Sequence, residues 1–153
     1  MLNNQFYNNS KLISITMLSP FHLAIPVTCL IAANDFYGNV LGLNKGRESS
    51  HWIDWDFFGH QLVTHLQTSQ KNTSSNLVDG HQVPVPHFGV VLPWQDWHNF
   101  AKNLQEKKVQ FVIEPHIRFK NQAGEQATMF FYDYCGNALE FKAFQDIGQL
   151  FAK

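Results

Sequence analysis

The sequence predicts an α+β protein in which two βαβββ modules form a curved mixed sheet around a shared cleft. Three observations carry this. The order of a strand, a helix and further strands appears twice along the 153 residues. Each run opens on an apolar strand headed by a histidine, His22 and His87. Each ends with a glycine turn, at Gly59 and Gly136, into a closing strand. A repeat of this kind means that neither half closes its core alone and that the two sheets meet.

The elements follow in order. Residues 1–19 read as an N-terminal extension, with an apolar patch from Leu12 to Leu18 and a single, late Lys11 that makes a poor signal peptide. The two modules occupy 20–145. Module one spans about 20–66, a linker 67–82, module two about 83–145, and a tail 146–153. In module one, Phe21 to Val27 is a strand, and Pro26 places it at a sheet edge or strand end. Thr28 caps a helix from Cys29 to Val40, whose apolar residues Leu30, Ala33, Phe36, Tyr37 and Val40 recur at helical spacing. Residues 45–50 are polar and turn-like. Trp52 to Phe58 and His60 to Leu66 are strands, with Asp54 and Asp56 on a solvated face.

Residues 67–82 are rich in Ser, Asn, Thr and Gln and read as a loop. In module two, His87 to Leu92 is a strand. Pro93 and Trp94 open a helix to about Lys107, with Trp97, Phe100, Ala101 and Leu104 on one face. Val109 to Ile113 is a strand, closed by Pro115 and continued across a bulge by His116 to Phe119. Thr128 to Tyr132 is the next strand, and Asp133, Gly136 and Asn137 form the turn into the last.

Composition narrows the function. Apolar residues make up 44% and charged residues 15%, which suits a buried core rather than disorder. A net charge of −1 leaves no electrostatic footprint for nucleic acid. No apolar run approaches the ~18–20 residues of a spanning helix, so no membrane partner is expected. Cys29 and Cys135 carry no metal-binding spacing. Two free thiols in a reducing, cytoplasmic compartment is the reading, with one disulfide the alternative.

The residue that most needs explaining is Glu140, which sits among Leu139, Phe141, Ala143 and Phe144 in the last strand. A carboxylate there is costly to bury unless it is paired, hydrogen-bonded or coordinated to a metal. Alternation puts Ala138, Glu140, Lys142 and Phe144 on one side of the strand. If that side is open to water, Glu140 is a surface charge. His51, His81, His98 and His116 read as surface or loop residues, and Trp52, Phe58, Phe88 and Phe130 as core.

Four stretches, His22-Leu23-Ala24-Ile25-Pro26-Val27, Phe36-Tyr37 with Leu41-Gly42, His87-Phe88-Gly89-Val90, and Asp133 through Glu140, resemble the vicinal oxygen chelate superfamily. That group includes glyoxalase I, fosfomycin- and bleomycin-resistance proteins and extradiol dioxygenases. Phe57-Phe58-Gly59-His60-Gln61 and Gly124-Glu125-Gln126-Ala127-Thr128 resemble a bacterial glyoxalase-related and dioxygenase subgroup. The resemblance implies a divalent metal held by His22, His87 and Glu140, with Fe(II) first and Mn(II), Zn(II) or Ni(II) as alternatives. It implies a small oxygenated substrate bound through two adjacent oxygens, and a homodimer. Counting from the paired glycines, Val63 stands where the first half would carry a fourth ligand; a register difference would bring His65 or Gln61 there instead. Dioxygenation is the preferred reaction, a glyoxalase-like lyase or isomerase the next, and a metal-free small-molecule binder the non-enzymatic alternative. Tyr132 is a candidate acid/base or a packing residue. Arg118 is a candidate clamp for an anionic substrate, or an ion-pair partner of Glu114 or Glu125.

Overall fold

The computed structural model describes residues 19–69, 74–78 and 80–151; the N-terminal extension as far as residue 18, residues 70–73 and 79 of the linker, and the last two residues of the tail lie outside it. Module one contains β1 (His22–Val27), α1 (Leu30–Ala33) continued by a π-helical turn (Asn34–Val40), β2 (Asn44–Glu48), β3 (Trp52–Phe57) and β4 (His60–Leu66). A hairpin of β5 (Ser74–Val78) and β6 (His81–Val85) follows. Module two contains β7 (His87–Phe88), α2 (Trp94–Glu106), β8 (Phe111–Arg118), β9 (Gln126–Tyr132) and β10 (Ala138–Phe144).

The two sheets share one topology. Their strand orders are β1-β4-β3-β2 and β7-β10-β9-β8, and in each the first strand pairs parallel with the last while the other neighbours are antiparallel. The opening strand is therefore an edge strand in both halves. Pro26, which has no N–H to give, is tolerated there for that reason.

Four expectations are corrected. The polar stretch after the first helix is not a turn but contains strand β2, all five of whose residues are exposed, so that it carries no apolar alternation. The linker is not all loop: it carries β5 and the start of β6, whose hairpin runs on to Val85. The first helix is α-helical for four residues and then π-helical, and its cap is Cys29 rather than Thr28. Asp54 is also not solvated. It is 8% exposed and its Oδ2 stands 3.4 Å from Arg47 Nη2 on β2. A carboxylate so placed needs a partner.

One core runs through both halves. It joins Ile25, Tyr37, Trp55 and Leu62 of the first to Trp97, Leu104, Phe131 and Phe141 of the second. On β10, Leu139, Phe141 and Ala143 are fully buried on the core side. Trp97 Nε1 of α2 donates to Phe141 O at 2.8 Å, which fixes the helix over this strand. Polar bonds stitch the seam. Tyr37 Oη donates to Asp133 Oδ2 at 2.8 Å, and Asn137 Nδ2 donates to Pro26 O at 2.9 Å. Burial and the Asp133 carboxylate hold the Tyr37 phenol well above its usual pKa, so it remains a donor. Asp133 Oδ1 accepts from Cys135 N and Asn137 N, both at 2.8 Å. With Gly136 at φ +81°, this makes the tight turn that delivers β10 in register. Cys29 and Cys135 are both free thiols.

Candidate metal centre

β10 carries Glu140 on the face opposite the core, and its side chain is only 10% exposed. Each oxygen has partners. Oε1 accepts from Thr128 Oγ1 on β9 at 2.8 Å and lies 3.3 Å from Lys142 Nζ. Oε2 lies 3.1 Å from His87 Nε2. The surface-charge alternative for Glu140 is therefore overturned: the carboxylate sits in a built, half-buried polar cluster.

His87 is oriented from behind. Its Nδ1 is 2.6 Å from Pro84 O on β6, and since a carbonyl only accepts, Nδ1 carries the hydrogen. Phe130 of β9 meets the ring edge-on at 5.2 Å between centroids. With Nδ1 committed, the neutral ring would turn its Nε2 lone pair toward the Glu140 carboxylate. Two arrangements relieve that repulsion: a proton on Nε2, or a cation between the two atoms. The electrostatics favour the proton when no cation is present. The hydrogen bond to Glu140, aided by Pro84, outweighs burial and raises the His87 pKa from its usual value. Burial by itself pushes the Glu140 carboxyl up; the His87 hydrogen bond, the Lys142 charge and the Thr128 hydroxyl together outweigh it and hold the carboxyl below its usual range.

The same geometry fits a divalent ion. A histidine nitrogen and a carboxylate oxygen each ~2.0–2.2 Å from one ion, at right angles, stand about 3 Å apart. A second ring nitrogen tied to a carbonyl is the usual support of a metal-binding imidazole. His22 is prepared in the same way. Its Nδ1 is 2.8 Å from Gln61 Oε1, an acceptor, so Nε2 is the free nitrogen. But His22 is not beside His87 and Glu140. Among the described residues, no three His, Cys, Asp or Glu side chains are gathered closely enough to hold a metal ion.

The registers explain the difference between the halves. His22 pairs with Gln61 and His87 with Ala138, so two residues further along the closing strands stand Val63 and Glu140. Val63 thus occupies in β4 the place that Glu140 holds in β10. His65 lies opposite Pro26, at the far end of β1 from His22, and Gln61 is the residue beside His22.

The space between the halves is a cleft of about 760 Å³, lined by Phe21, Leu23, Phe57, Phe58, Phe88 and Val90 among others. His22, His87 and Glu140 are not among its lining residues. Strand alternation is the cause: Phe21 and Leu23 flank His22, and Phe88 follows His87, so the histidines face the other way.

Tyr132 is 39% exposed and shares a row across the sheet with Ala138 and His87. Arg118 lies in the row of Gln126 and Phe144, with its guanidinium 5.0 Å from the Phe119 ring. Thr128, Lys142, Pro84 and Gln61 complete the polar environment. The sequence reading assigned no role to the first three. Lys142 was findable by parity, two residues from Glu140; Thr128 and Pro84 reach the site only through strand pairing and the chain's path after the hairpin.

A model of the Glyoxalase/Bleomycin resistance protein/Dioxygenase superfamily matches residues 19–141. No curated protein matches the chain. Among solved structures, the chain is similar to a glyoxalase/bleomycin resistance protein/dioxygenase from Alicyclobacillus acidocaldarius, with 32% identity and a TM-score of 0.74 over 87% of this chain and 96% of that one. It is similar in fold to the fosfomycin resistance protein FosX from Listeria monocytogenes, at 15% identity and a TM-score of 0.64 over 87% of this chain and 98% of that one. A lactoylglutathione lyase from Agrobacterium tumefaciens shows 16% identity and a TM-score of 0.59, covering 90% and 99%. With a family match across most of its length and two modules of one topology, the chain belongs to the glyoxalase/bleomycin resistance protein/dioxygenase superfamily.

Proposed function

We propose that this protein is a cytoplasmic, homodimeric metalloenzyme that binds a small substrate through two adjacent oxygens. His87 and Glu140 of one copy and His22 of a second would hold the ion. The observation that carries the reading is the His87–Glu140 pair, with Nε2 and Oε2 3.1 Å apart and each side chain fixed from behind. Two imidazoles and one carboxylate with open positions suit non-haem Fe(II), which places dioxygenation first; Mn(II), Zn(II) or Ni(II) with a lyase or isomerase reaction comes second. The bound ion would supply Lewis-acid stabilisation of negative charge developing on the substrate oxygens. Thr128 and Lys142 hold Glu140 ionised and oriented, and Pro84 fixes the His87 tautomer. Tyr132, on the same sheet face, would move a proton, and Arg118 would orient an anionic group.

The shared site is favoured because His22 and its Nε2 are presented on an edge strand, while among the described residues no three donors of one chain are gathered. Elemental analysis of anaerobically purified protein, beside the His22/His87/Glu140→Ala triple variant, tests the metal. About one equivalent per chain in the parent and none in the variant is expected. Mixing unfolded His22→Ala and Glu140→Ala chains and refolding them together tests the sharing. Random pairing in a dimer would restore about one quarter of the parental metal, whereas a site built within one chain would restore none.

A second reading, a metal-free binder of apolar compounds, is favoured by the apolar cleft between the halves, which does not use the metal donors. A parent that takes up no metal after reconstitution yet binds an apolar dye would establish it.

A further inference from the structure

The candidate metal centre makes no use of the cleft between the halves. At about 760 Å³ the cleft lies within the ~300–1,000 Å³ of small-molecule sites. Its aromatic side is braced. Phe57 meets Phe88 across the seam at 5.6 Å between ring centroids. Phe58 rests on Phe100 at 5.8 Å and on Phe141 at 5.5 Å. These contacts hold the wall in one arrangement, yet much of the apolar lining stays open to water: Phe21 is 63% exposed, Ile147 63% and Phe58 39%. A preformed concave apolar surface of this kind takes an apolar body.

The polar side chains that line it among the described residues are His60, Gln61 and Asp96. The first two are neutral and engaged. His60 Nδ1 accepts from Phe21 N at 2.9 Å; a backbone N–H only donates, so this nitrogen carries no hydrogen and the ring is uncharged. Gln61 Oε1 accepts from His22 Nδ1. Asp96 differs. It stands, exposed, in the first turn of α2. Among the described residues, no hydrogen bond or ion pair reaches its carboxylate. The cleft therefore carries one charge, and that charge is negative. The exposed rings of Phe21 and Phe58 have the same preference, since the face of an aromatic ring attracts a cation.

We propose that the cleft is a ligand site separate from the candidate metal centre, and that its ligand is an amphiphilic cation. A ring-bearing apolar body would fill the phenylalanine-lined space, and an ammonium or amidinium group would meet Asp96. The cleft and the candidate metal centre use opposite faces of the same strands: Leu23 and Phe88 line the cleft, whereas the adjoining His22 and His87 do not. Occupancy of the cleft therefore neither requires a metal nor excludes one. The apolar-binder reading leaves the charge of the ligand open; Asp96 assigns it.

The test uses the full chain and two probes that share one ring system, 1-naphthylmethylamine, a cation at neutral pH, and 1-naphthylmethanol, which has no charge. Titration calorimetry compares the parent with Asp96→Asn and Phe21→Ala, each before and after metal reconstitution. The expected result is saturable binding of both probes to the parent, with the amine the tighter. Asp96→Asn should weaken the amine by about three- to tenfold, a range that allows for the exposure of this carboxylate, and leave the alcohol unchanged. Phe21→Ala should weaken both by about fivefold through lost apolar contact. Circular dichroism identifies a variant that fails to fold, and the other then carries the comparison. Amine and alcohol bound equally by the parent, or an amine affinity unchanged in folded Asp96→Asn, would overturn the assigned charge. No saturable binding of either probe, or affinities unchanged in folded Phe21→Ala, would overturn the site. Amine affinity that falls as protein concentration rises would mean that a second copy fills the cleft, and would also overturn it. Amine binding that depends on Asp96 in a parent that takes up no metal would uphold the cleft site and overturn only the metalloenzyme reading.

Discussion

Replacing Gly89 by alanine should damage the candidate metal centre without touching any of its side chains. Gly89 follows β7, and the bridged pairs on either side of it, Phe88 with Leu139 and Val91 with Lys142, set it opposite Glu140. A Cβ built on Gly89 would lie 1.6 Å from Glu140 O and 2.7 Å from Glu140 C. Both are backbone atoms of a central strand, so no side-chain rotation relieves the contact. A normal carbon–oxygen contact is about 3.3 Å, so the two strands must open by about 1.7 Å. The bonds from Lys142 N to Val90 O, 3.2 Å, and from Leu92 N to Lys142 O, 2.7 Å, follow directly after this point and would be lost. Two backbone bonds at about 1 kcal/mol each, with about 1–3 kcal/mol of overpacking strain, give about 3–5 kcal/mol. The φ of Gly89 is outside the left-handed region, so the cost is steric. Gly42 is the control: its φ is +74° and nothing lies within 4 Å of its Cβ, so Gly42→Ala should cost about 1–2 kcal/mol through its backbone alone. Urea unfolding at unchanged slope gives both values, and metal titration gives the second consequence, loss of metal from Gly89→Ala but not from Gly42→Ala. A Gly89→Ala protein as stable as the parent and still metal-competent would refute the argument that this close approach sets the position of Glu140.

The remaining predictions concern the same cluster and its support. In metal-free protein the His87–Glu140 pair should stabilise most between the ordinary carboxylate and imidazole values, 4.5 and 6.5. The lowered Glu140 contribution is complete above the first and is lost as pH falls through its folded pKa; the raised His87 contribution is complete below the second and is lost as pH rises through its folded pKa. Urea midpoints of the parent and Glu140→Gln between pH 3 and 9 should therefore differ most in that window, and a pH-independent difference would contradict the pairing. Thr128→Val keeps the buried volume but removes the donor to Glu140 Oε1; about 1–2 kcal/mol of stability and about tenfold in metal affinity should go, read by unfolding and by chelator competition. Tyr37→Phe removes one of the donors to buried Asp133 and should lower stability by about 1.5–3 kcal/mol with metal content unchanged; a parallel loss of metal would mean that the seam and the site are coupled.

The repeat was legible because burial wrote it into the sequence. Leu139, Phe141 and Ala143 alternate with Glu140 and Lys142 because one side of β10 is the core, and Trp97, Ala101 and Leu104 recur at helical spacing because α2 lies on that core. Where burial is absent, so is the signal. β2 and β5 are exposed along their whole length, and the sequence reads there as polar turn or loop. The π-helical turn was hidden for a different reason: Phe36 and Tyr37 fit a helical period, and the change in hydrogen bonding leaves no mark on it. At the candidate site, Glu140 was visible as a charge in an apolar strand. Two of the groups around it were not: Thr128 is brought there by strand pairing and Pro84 by the path of the chain after the hairpin.

The unequal fate of the two halves bears on how such a site functions. If both closing strands carried a carboxylate at the matching place, each half would present a histidine and an acid, with two equivalent positions for an ion. Val63 removes that possibility from the first half, and Gln61 takes over the support of His22 by accepting from its Nδ1. The first half is thereby left with one prepared nitrogen and no carboxylate at the place that matches Glu140, and the second with a nitrogen, a carboxylate and the groups that hold them. A lone imidazole at an exposed strand edge binds an ion weakly; a histidine–carboxylate pair binds one better but leaves open coordination positions. Joining the two across a subunit boundary would make metal affinity depend on dimerisation and, by linkage, dimerisation depend on metal. Dilution should then release metal from the parent but leave a His22→Ala protein, whose residual site lies within one chain, with a weak affinity that does not change with protein concentration.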